Sequence, residues 1–418
     1  MLNRSVAPPF VEADQFQLPS YEKEKLANGI DLFLVRHVQQ EVLKIEIMFR
    51  AGKWYEPRPS VSHFTAQLLE KGTTKKSSTA IAEAFDRLGA HVEITPGYDY
   101  ASVSLYGLVK NWQQAFALLI EIVTQPSFPA EELDLQKSIF LQNLKVNLEK
   151  NSFVASQQIR KNIFGAKHPY GSSVEEEQVQ ALQADMLRSF HRDAYAPQAV
   201  FVTAGAGFDQ TPLVQALAGW TNAHSPGNTA SPEPALQKKQ HLEKKDSMQT
   251  ALRLARRSLL RQHADYPAAL LFNHILGGYF GSRLMKNIRE DKGLTYGIYS
   301  SLQPFAHDSM WVIGADVNKE NSELAVREIR AELQRLVNEP VPPDELTTAR
   351  NHFLGALQSE VANPFSVTDK IKNLYLHTLP ANYYQELFDQ LRKLNASDIM
   401  RVATTHFDAA TLHEVTVG

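Results

Sequence analysis

The 418-residue chain repeats itself, and this self-similarity constrains its fold more than any local motif. Glu131-Glu132-Leu133 opens a helical stretch that runs into Asn151-Ser152-Phe153-Val154. Asp344-Glu345-Leu346 opens another that runs into Asn363-Pro364-Phe365-Ser366-Val367. The offset is 213 at the start (344 − 131) and 212 at the asparagine (363 − 151). Leu182-Gln183-Ala184-Asp185 then matches Leu394-Asn395-Ala396-Ser397-Asp398, and Val202-Thr203-Ala204-Gly205 matches Val415-Thr416-Val417-Gly418, offset 213 again (415 − 202). A nearly constant offset is what a duplicated domain with small loop changes leaves behind. Residues 222–234, rich in Pro, Gly, Ser and Asn, read as a linker. The expected organisation is two homologous halves, 1–221 and 235–418, in a chain longer than one hydrophobic core usually fills.

Within each half, strand and helix signals come in separate blocks. Residues 30–35, 42–49, 101–106 and 310–314 alternate with period two. Residues 62–71, 79–88, 112–124 and 131–149 read as helices, as do 266–276, 320–337 and 344–360 in the second half. Hairpin strands followed by helix pairs predict an α+β fold, each half an antiparallel sheet with helices packed on one face.

Composition narrows the function classes. Net charge is −3 with an isoelectric point near 6.5, so no basic field argues for nucleic acid or an anionic membrane. Cysteine is absent, which excludes disulfides, thiolate metal sites and cysteine catalysis. Residues 1–10 lack an apolar core and a cleavage pattern, and no apolar run reaches the ~18 residues that span a bilayer. A cytoplasmic protein is expected, with a periplasmic location left open.

One pentapeptide, His63-Phe64-Thr65-Ala66-Gln67, bears on chemistry. The inverted zincin pattern H-x-x-E-H places two imidazoles on one helical face, with a glutamate to activate a metal-bound water. Around the pentapeptide stand Phe49-Arg50-Ala51-Gly52, Trp54 and Glu56 before it, and Leu68-Leu69-Glu70-Lys71-Gly72-Thr73 and Leu88-Gly89-Ala90 after it. In the second half, Gly277-Gly278 and Ser282-Arg283-Leu284 precede Ile288-Arg289-Glu290-Asp291-Lys292-Gly293-Leu294-Thr295-Tyr296. In order, spacing and internal repeat this assembly resembles the insulinase/pitrilysin-type metallopeptidases, in their short processing-peptidase branch. The resemblance implies two homologous α+β halves closing like a clamshell around an unfolded peptide.

Carried over by position, the resemblance puts the first zinc histidine at His63, the general-base glutamate at Ala66 and the second zinc histidine at Gln67. It puts the third ligand at Asn143 and an accompanying glutamate at Gln136. Zinc needs three protein donors and an open water position, and only His63 is a suitable one. No metal or other cofactor is therefore expected in this chain, and no peptidase activity from it alone. The Arg289/Tyr296 pair keeps the family's spacing of seven (296 − 289). In the family these residues reach the substrate, where a guanidinium and a phenol can hydrogen-bond a peptide carbonyl. The resemblance thus implies the non-catalytic subunit of a heterodimer. Its homologous partner would carry an intact H-x-x-E-H and the zinc.

Blander readings stand beside this one. Arg289 reads equally as a surface arginine in a charged run, Tyr296 as a core-facing strand residue and His63 as a structural helix residue. His91 and Glu93 lie on one face of a presumed edge strand, but two donors are too few for a metal. Gly277–Gly281 reads as a helix end or as flexible backbone near substrate, and Arg253–Arg261 as a partly solvated edge. A structural or peptide-holding scaffold is the competing function, and a self-sufficient peptidase with unorthodox ligands a third.

Overall fold

The computed structural model describes Ser5, residues 14–220 and residues 227–418. The rest of the 1–10 stretch and the first part of the 222–234 linker lie outside the described residues. Two sheets organise the chain. The first contains β1 (Glu22–Lys25), β2 (Asp31–Val38), β3 (Val42–Phe49), β4 (His91–Pro96), β5 (Ala101–Leu108) and β6 (Pro197–Gly205), in the order β1-β2-β6-β3-β5-β4. The second contains β7 (Lys239–Leu242), β8 (Gln249–Arg257), β9 (Thr295–Pro304), β10 (Ser309–Asn318) and β11 (His413–Val417), in the order β7-β11-β8-β10-β9. Without β1 the two orders are the same, strand for strand. Both sheets are antiparallel except for one pair each, β2 with β6 and β7 with β11, which run parallel. The α+β reading stands, with that refinement.

The repeat holds for elements but not for every register. Val202 pairs with Ile45 and packs in the first half's own core. Val415 pairs with Arg253 instead, so it lies on the opposite face from Leu252 and Leu254, which fill the second half's core. The Val-Thr-x-Gly match at offset 213 therefore aligns residues of opposite face. The second half inserts a short turn, Ala409–Thr411, before its strand, and a net slip of one residue turns every side chain over.

Each half's own helices cover one face of its sheet. In the first half Leu43, Ile45, Ile47 and Phe49 meet Phe64, Phe116, Leu119 and Ile122. In the second, Leu252, Leu254, Trp311 and Ile313 meet Phe272, Ile275, Ile329 and Leu333. Each half's own helices pack on one face of its sheet, as expected, and each half in addition lends one helix to the opposite face of the other's sheet. Helix Asn151–Phe164 lays Ala155, Ile159, Ile163 and Phe164 against Ala251, Ala255, Met310, Val312, Val415 and Val417 of the second sheet. Helix Pro364–Leu376 lays Val367 and Ile371 against Phe33, Val35, Met48, Ala199 and Phe201 of the first.

That crossing buries charge that looked solvated. On β3, Lys44 and Glu46 alternate away from the apolar core and are 5% and 2% exposed. Glu46 lies 3.1 Å from Lys44 Nζ and 2.8 Å from Lys372 Nζ of the crossing helix, and Asp369 lies 3.5 Å from Lys44. Arg253 does the reciprocal work on β8, a strand paired on both sides rather than an edge. Its guanidinium donates to Ser156 Oγ of the other crossing helix at 3.1 Å and lies 3.4 Å from Asp316. Within the basic run Arg253 is thus a buried tie between the halves, while Arg257 stays exposed. β4, bearing exposed His91 and Glu93, does lie at a sheet edge, and Glu93 accepts from Tyr106 Oη at 3.2 Å.

Candidate functional site

The His63 helix, Val61–Leu68, starts at Ser60, whose φ of +73° is the left-handed conformation a non-glycine residue rarely takes. Its inner face carries Val61, Phe64 and Leu68 into the first core, and Ala66 is fully buried as well. The long helix Ala130–Leu148 packs beside it, as the resemblance implied, but meets His63 with an aromatic ring. Phe140 lies 5.1 Å from the His63 ring and Phe64 5.4 Å, centroid to centroid. Burial lowers the His63 pKa, so the imidazole is neutral near pH 7.

Gln136 and Asn143 are on the same helix as Phe140; Gln136 is half-buried and Asn143 exposed. Among the described residues, no hydrogen bond joins His63, Gln67, Gln136 or Asn143 to one another. One neutral imidazole, three amides and a buried methyl do not make a zinc site. Amide oxygens bind this ion poorly, and no carboxylate stands where the general base should be. The donor set does not fit the metal that the fold implies.

What the sequence reading passed over is the pocket beside His63. A cavity of about 220 Å³ is lined by Lys53, Glu56, Ser60, Ser62, His63, Tyr98 and Phe140, among others. Glu56 accepts from the Ser62 amide at 3.2 Å and from Ser62 Oγ at 2.8 Å, which fastens it to the first turn of the helix. Burial pushes its carboxyl up to about 7, against the opposing pull of those bonds and of Lys53. Lys53, itself lowered by burial, donates to the Ser172 carbonyl at 2.6 Å. Ser60 Oγ is buried without a partner. Glu56 was visible only as one letter of a longer motif; nothing in its spacing marked a carboxyl that would be half protonated near pH 7.

In the second half the Arg/Tyr pair comes together. Arg289 sits in the wide-wound helical segment Met285–Asp291 and Tyr296 near the start of β9. The turn between them closes with Leu294 N donating to the Ile288 carbonyl at 2.9 Å, with Gly293 at φ +62°. The Arg289 guanidinium carbon lies 5.1 Å from the Tyr296 ring and 4.7 Å from Phe280, within cation–π range of both. Asn287 anchors the segment by donating to Glu332 Oε1 at 2.6 Å. Tyr296 is 91% exposed and Phe280 61%, so the core-facing reading of Tyr296 does not hold.

The glycine run Gly277–Gly281 has a packing explanation. A side chain at Gly277 would meet Ser300 N at 2.7 Å and Ser300 Cβ at 2.8 Å, so glycine lets the helix end lie against β9. One further group of potential metal ligands, His263, Asp265 and His406, exists among the described residues. Both Asp265 oxygens are already engaged there, by Arg401 and by His406, each at 2.8 Å.

Sequence comparison places these sites in a family. Residues 32–178 match the profile of the insulinase family, peptidase family M16, and residues 181–353 match the M16 inactive domain. The chain belongs to the insulinase (M16) family. It is 24% identical over 381 residues to the uncharacterized zinc protease YmxG of Bacillus subtilis, covering 90% of this chain and 92% of that protein. It is 21% identical over 378 residues to the non-peptidase homolog YmxG of Helicobacter pylori, covering 87% and 85%. The crystal structure of an M16 inactive domain from Pseudomonas fluorescens superposes with a TM-score of 0.88 at 25% identity, covering 96% of this chain and 98% of that one. A protease from Helicobacter pylori shares the fold at a TM-score of 0.83 and 18% identity, covering 96% and 100%. The family and its fold are therefore established for this chain. Among the described residues no helix is long and apolar enough to cross a membrane.

Proposed function

We propose that this chain is the non-catalytic subunit of a heterodimeric zinc processing peptidase. It supplies Arg289 and Tyr296 to a homologous partner that carries an intact H-x-x-E-H motif and the zinc. Residues 222–234 connect its two halves, the substrate is an unfolded peptide, and the compartment is the cytoplasm. One observation carries the reading: Tyr296 stays exposed with the half-buried Arg289 stacked on its ring, while the former zinc positions hold no competent donor set. A scaffold has no use for a guanidinium held by two rings with no hydrogen bond or carboxylate partner among the described residues. Against a bound peptide, the Arg289 fork donates to a carbonyl oxygen and the Tyr296 hydroxyl donates a second bond, fixing the chain in an extended path.

The test begins with a tagged pull-down from the native organism, with mass spectrometry of chains recovered in near-equal amount. A co-purifying homologue with intact H-x-x-E-H is the expected result. With that pair in hand, Arg289→Ala is expected to lower kcat/KM by roughly tenfold or more, the loss of one charge-assisted hydrogen bond, while the complex still elutes as a heterodimer. Unchanged turnover in a correctly assembled complex overturns the assignment and leaves the scaffold reading.

A further inference from the structure

A second polar pocket lies in the other half, away from Arg289 and Tyr296, and its logic is independent of the proposed function. Arg261 follows β8 and leads into helix Tyr266–Asn273, where it lines a cavity of about 220 Å³ shared with His263, Leu379, Tyr383 and Glu386. Arg160 and Arg350 also keep a buried nitrogen without a partner but make other hydrogen bonds, to Gln303 and to the Leu394 carbonyl, and three further arginines are paired with carboxylates. Arg253 meets Asp316, Arg283 makes a two-pronged bond to Glu345 at 2.8 Å on each prong, and Arg330 meets Glu414 at 3.0 Å. Arg261 has no carboxylate within 4 Å and no hydrogen bond among the described residues, and its Nε is buried without a partner. Tyr383 Oη, on the same wall, is also buried without a partner.

Among the described residues nothing local neutralises this guanidinium. Its nearest ring, Tyr266, is 6.0 Å away, at the limit of a cation–π contact. Glu386, the carboxylate on the wall, is exposed and accepts from Asn382 Nδ2 at 2.6 Å. His377 is pushed down to about 4, first by burial and then by Arg261, so it is neutral near pH 7. Gln262 spends its amide on the His377 carbonyl. A cation with a buried unsatisfied N–H and an adjacent unsatisfied hydroxyl leaves desolvation uncompensated unless an acceptor arrives. The cavity has room for several waters at ~30 Å³ each, and so for a carboxylate or a phosphate group.

We propose that Arg261 and Tyr383 form a subsite for a small oxyanion. The planar guanidinium fork and a phenol donor match the geometry of carboxylate and phosphate oxygens. Carboxylate and phosphate share this chemistry, so the probes must separate them. The full-length chain is titrated calorimetrically at ionic strength matched with chloride. The probes are inorganic phosphate and a short peptide with a free C-terminal carboxylate, the latter against the same peptide as its C-terminal amide. Saturable binding of phosphate, or of the free-acid peptide but not its amide, is expected and names the ligand class. Arg261→Gln is expected to weaken that binding tenfold or more and Tyr383→Phe a few-fold, in keeping with loss of a charged and a neutral hydrogen bond. Tyr383→Phe removes only an unpartnered oxygen and keeps its unfolding midpoint, so it carries the test even if Arg261→Gln does not fold. Absence of saturable binding to either probe, or wild-type binding by folded Tyr383→Phe and Arg261→Gln, overturns the proposal.

Discussion

Glu56 gives the pocket beside His63 a measurable signature. Its carboxyl rises from an ordinary value to about 7 because burial disfavours the charged form more than Ser62 and Lys53 favour it. A raised folded-state pKa means the native state holds the proton more tightly than the unfolded chain does. The corresponding stability is present below the unfolded pKa and is lost as pH rises through about 7. Thermal unfolding followed from pH 5 to pH 8 is expected to show a decline on the order of 1–3 kcal/mol from this group. Glu56→Gln is expected to flatten that part of the profile, because an amide keeps the bonds from Ser62 and does not titrate. An unchanged slope in Glu56→Gln would show that another group sets it. This raised carboxyl stands 7 residues before His63 (63 − 56), in the pocket that His63 also lines.

At the scale of elements, the informative feature is β3 under the crossing helix Pro364–Leu376. Its outward alternation, Lys44-Ile45-Glu46, would be an ordinary solvated face if nothing covered it. Covered, it becomes a desolvated ion network in which Glu46 is shared by Lys44 and Lys372. Removing one member strands the others, so Glu46→Ala is expected to cost about 3 kcal/mol in chemical denaturation. Replacing the group together, as Lys44→Met with Glu46→Leu and Lys372→Met, is expected to cost much less, since a packed apolar set needs no charge compensation. Equal losses in the single and triple variants would show that the network is not what binds helix to sheet. The register slip in β11 belongs to this scale too: the turn Ala409–Thr411 adds chain ahead of the strand, and the hydrophobic face follows the sheet rather than the sequence match.

For the whole molecule, the exchange of helices Asn151–Phe164 and Pro364–Leu376 makes each half a part of the other's core. Separated, the first half would expose Ala155, Ile159, Ile163 and Phe164 on one helix, and Phe33, Val35, Met48 and Phe201 on one sheet face. Contiguous apolar surface of that kind drives aggregation. Full-length protein is expected to unfold in a single calorimetric transition, and residues 1–221 expressed alone to aggregate or to lack cooperative melting. Two resolved transitions, or a soluble, cooperatively folding first half, would show that the exchanged helices contribute little. Asn151 was a clue in plain sight. It is the start of the matched Asn-x-Phe segments, and its side chain bonds Ser247 Oγ at 2.6 Å and the Gln249 carbonyl at 2.7 Å, both across the halves.

Much of this protein was legible from residues alone, because the controlling physics is local or periodic. Helix 112–124 and strand 42–49 match the observed Trp112–Thr124 and Val42–Phe49, since amphipathic period decides them. The duplicated strand order follows from the repeat, and that alanine has no base and an amide is a poor zinc ligand is side-chain chemistry that no fold can alter. Only tertiary structure decided the rest. Burial of Lys44, Glu46 and Arg253 depends on helices that arrive from the other half, 326 positions away for Glu46 and Lys372 and 97 for Arg253 and Ser156. The elevated carboxyl of Glu56, the exposure of Tyr296 and the unpaired guanidinium of Arg261 are properties of dielectric and neighbour geometry. Those quantities exist only once the chain has closed around them.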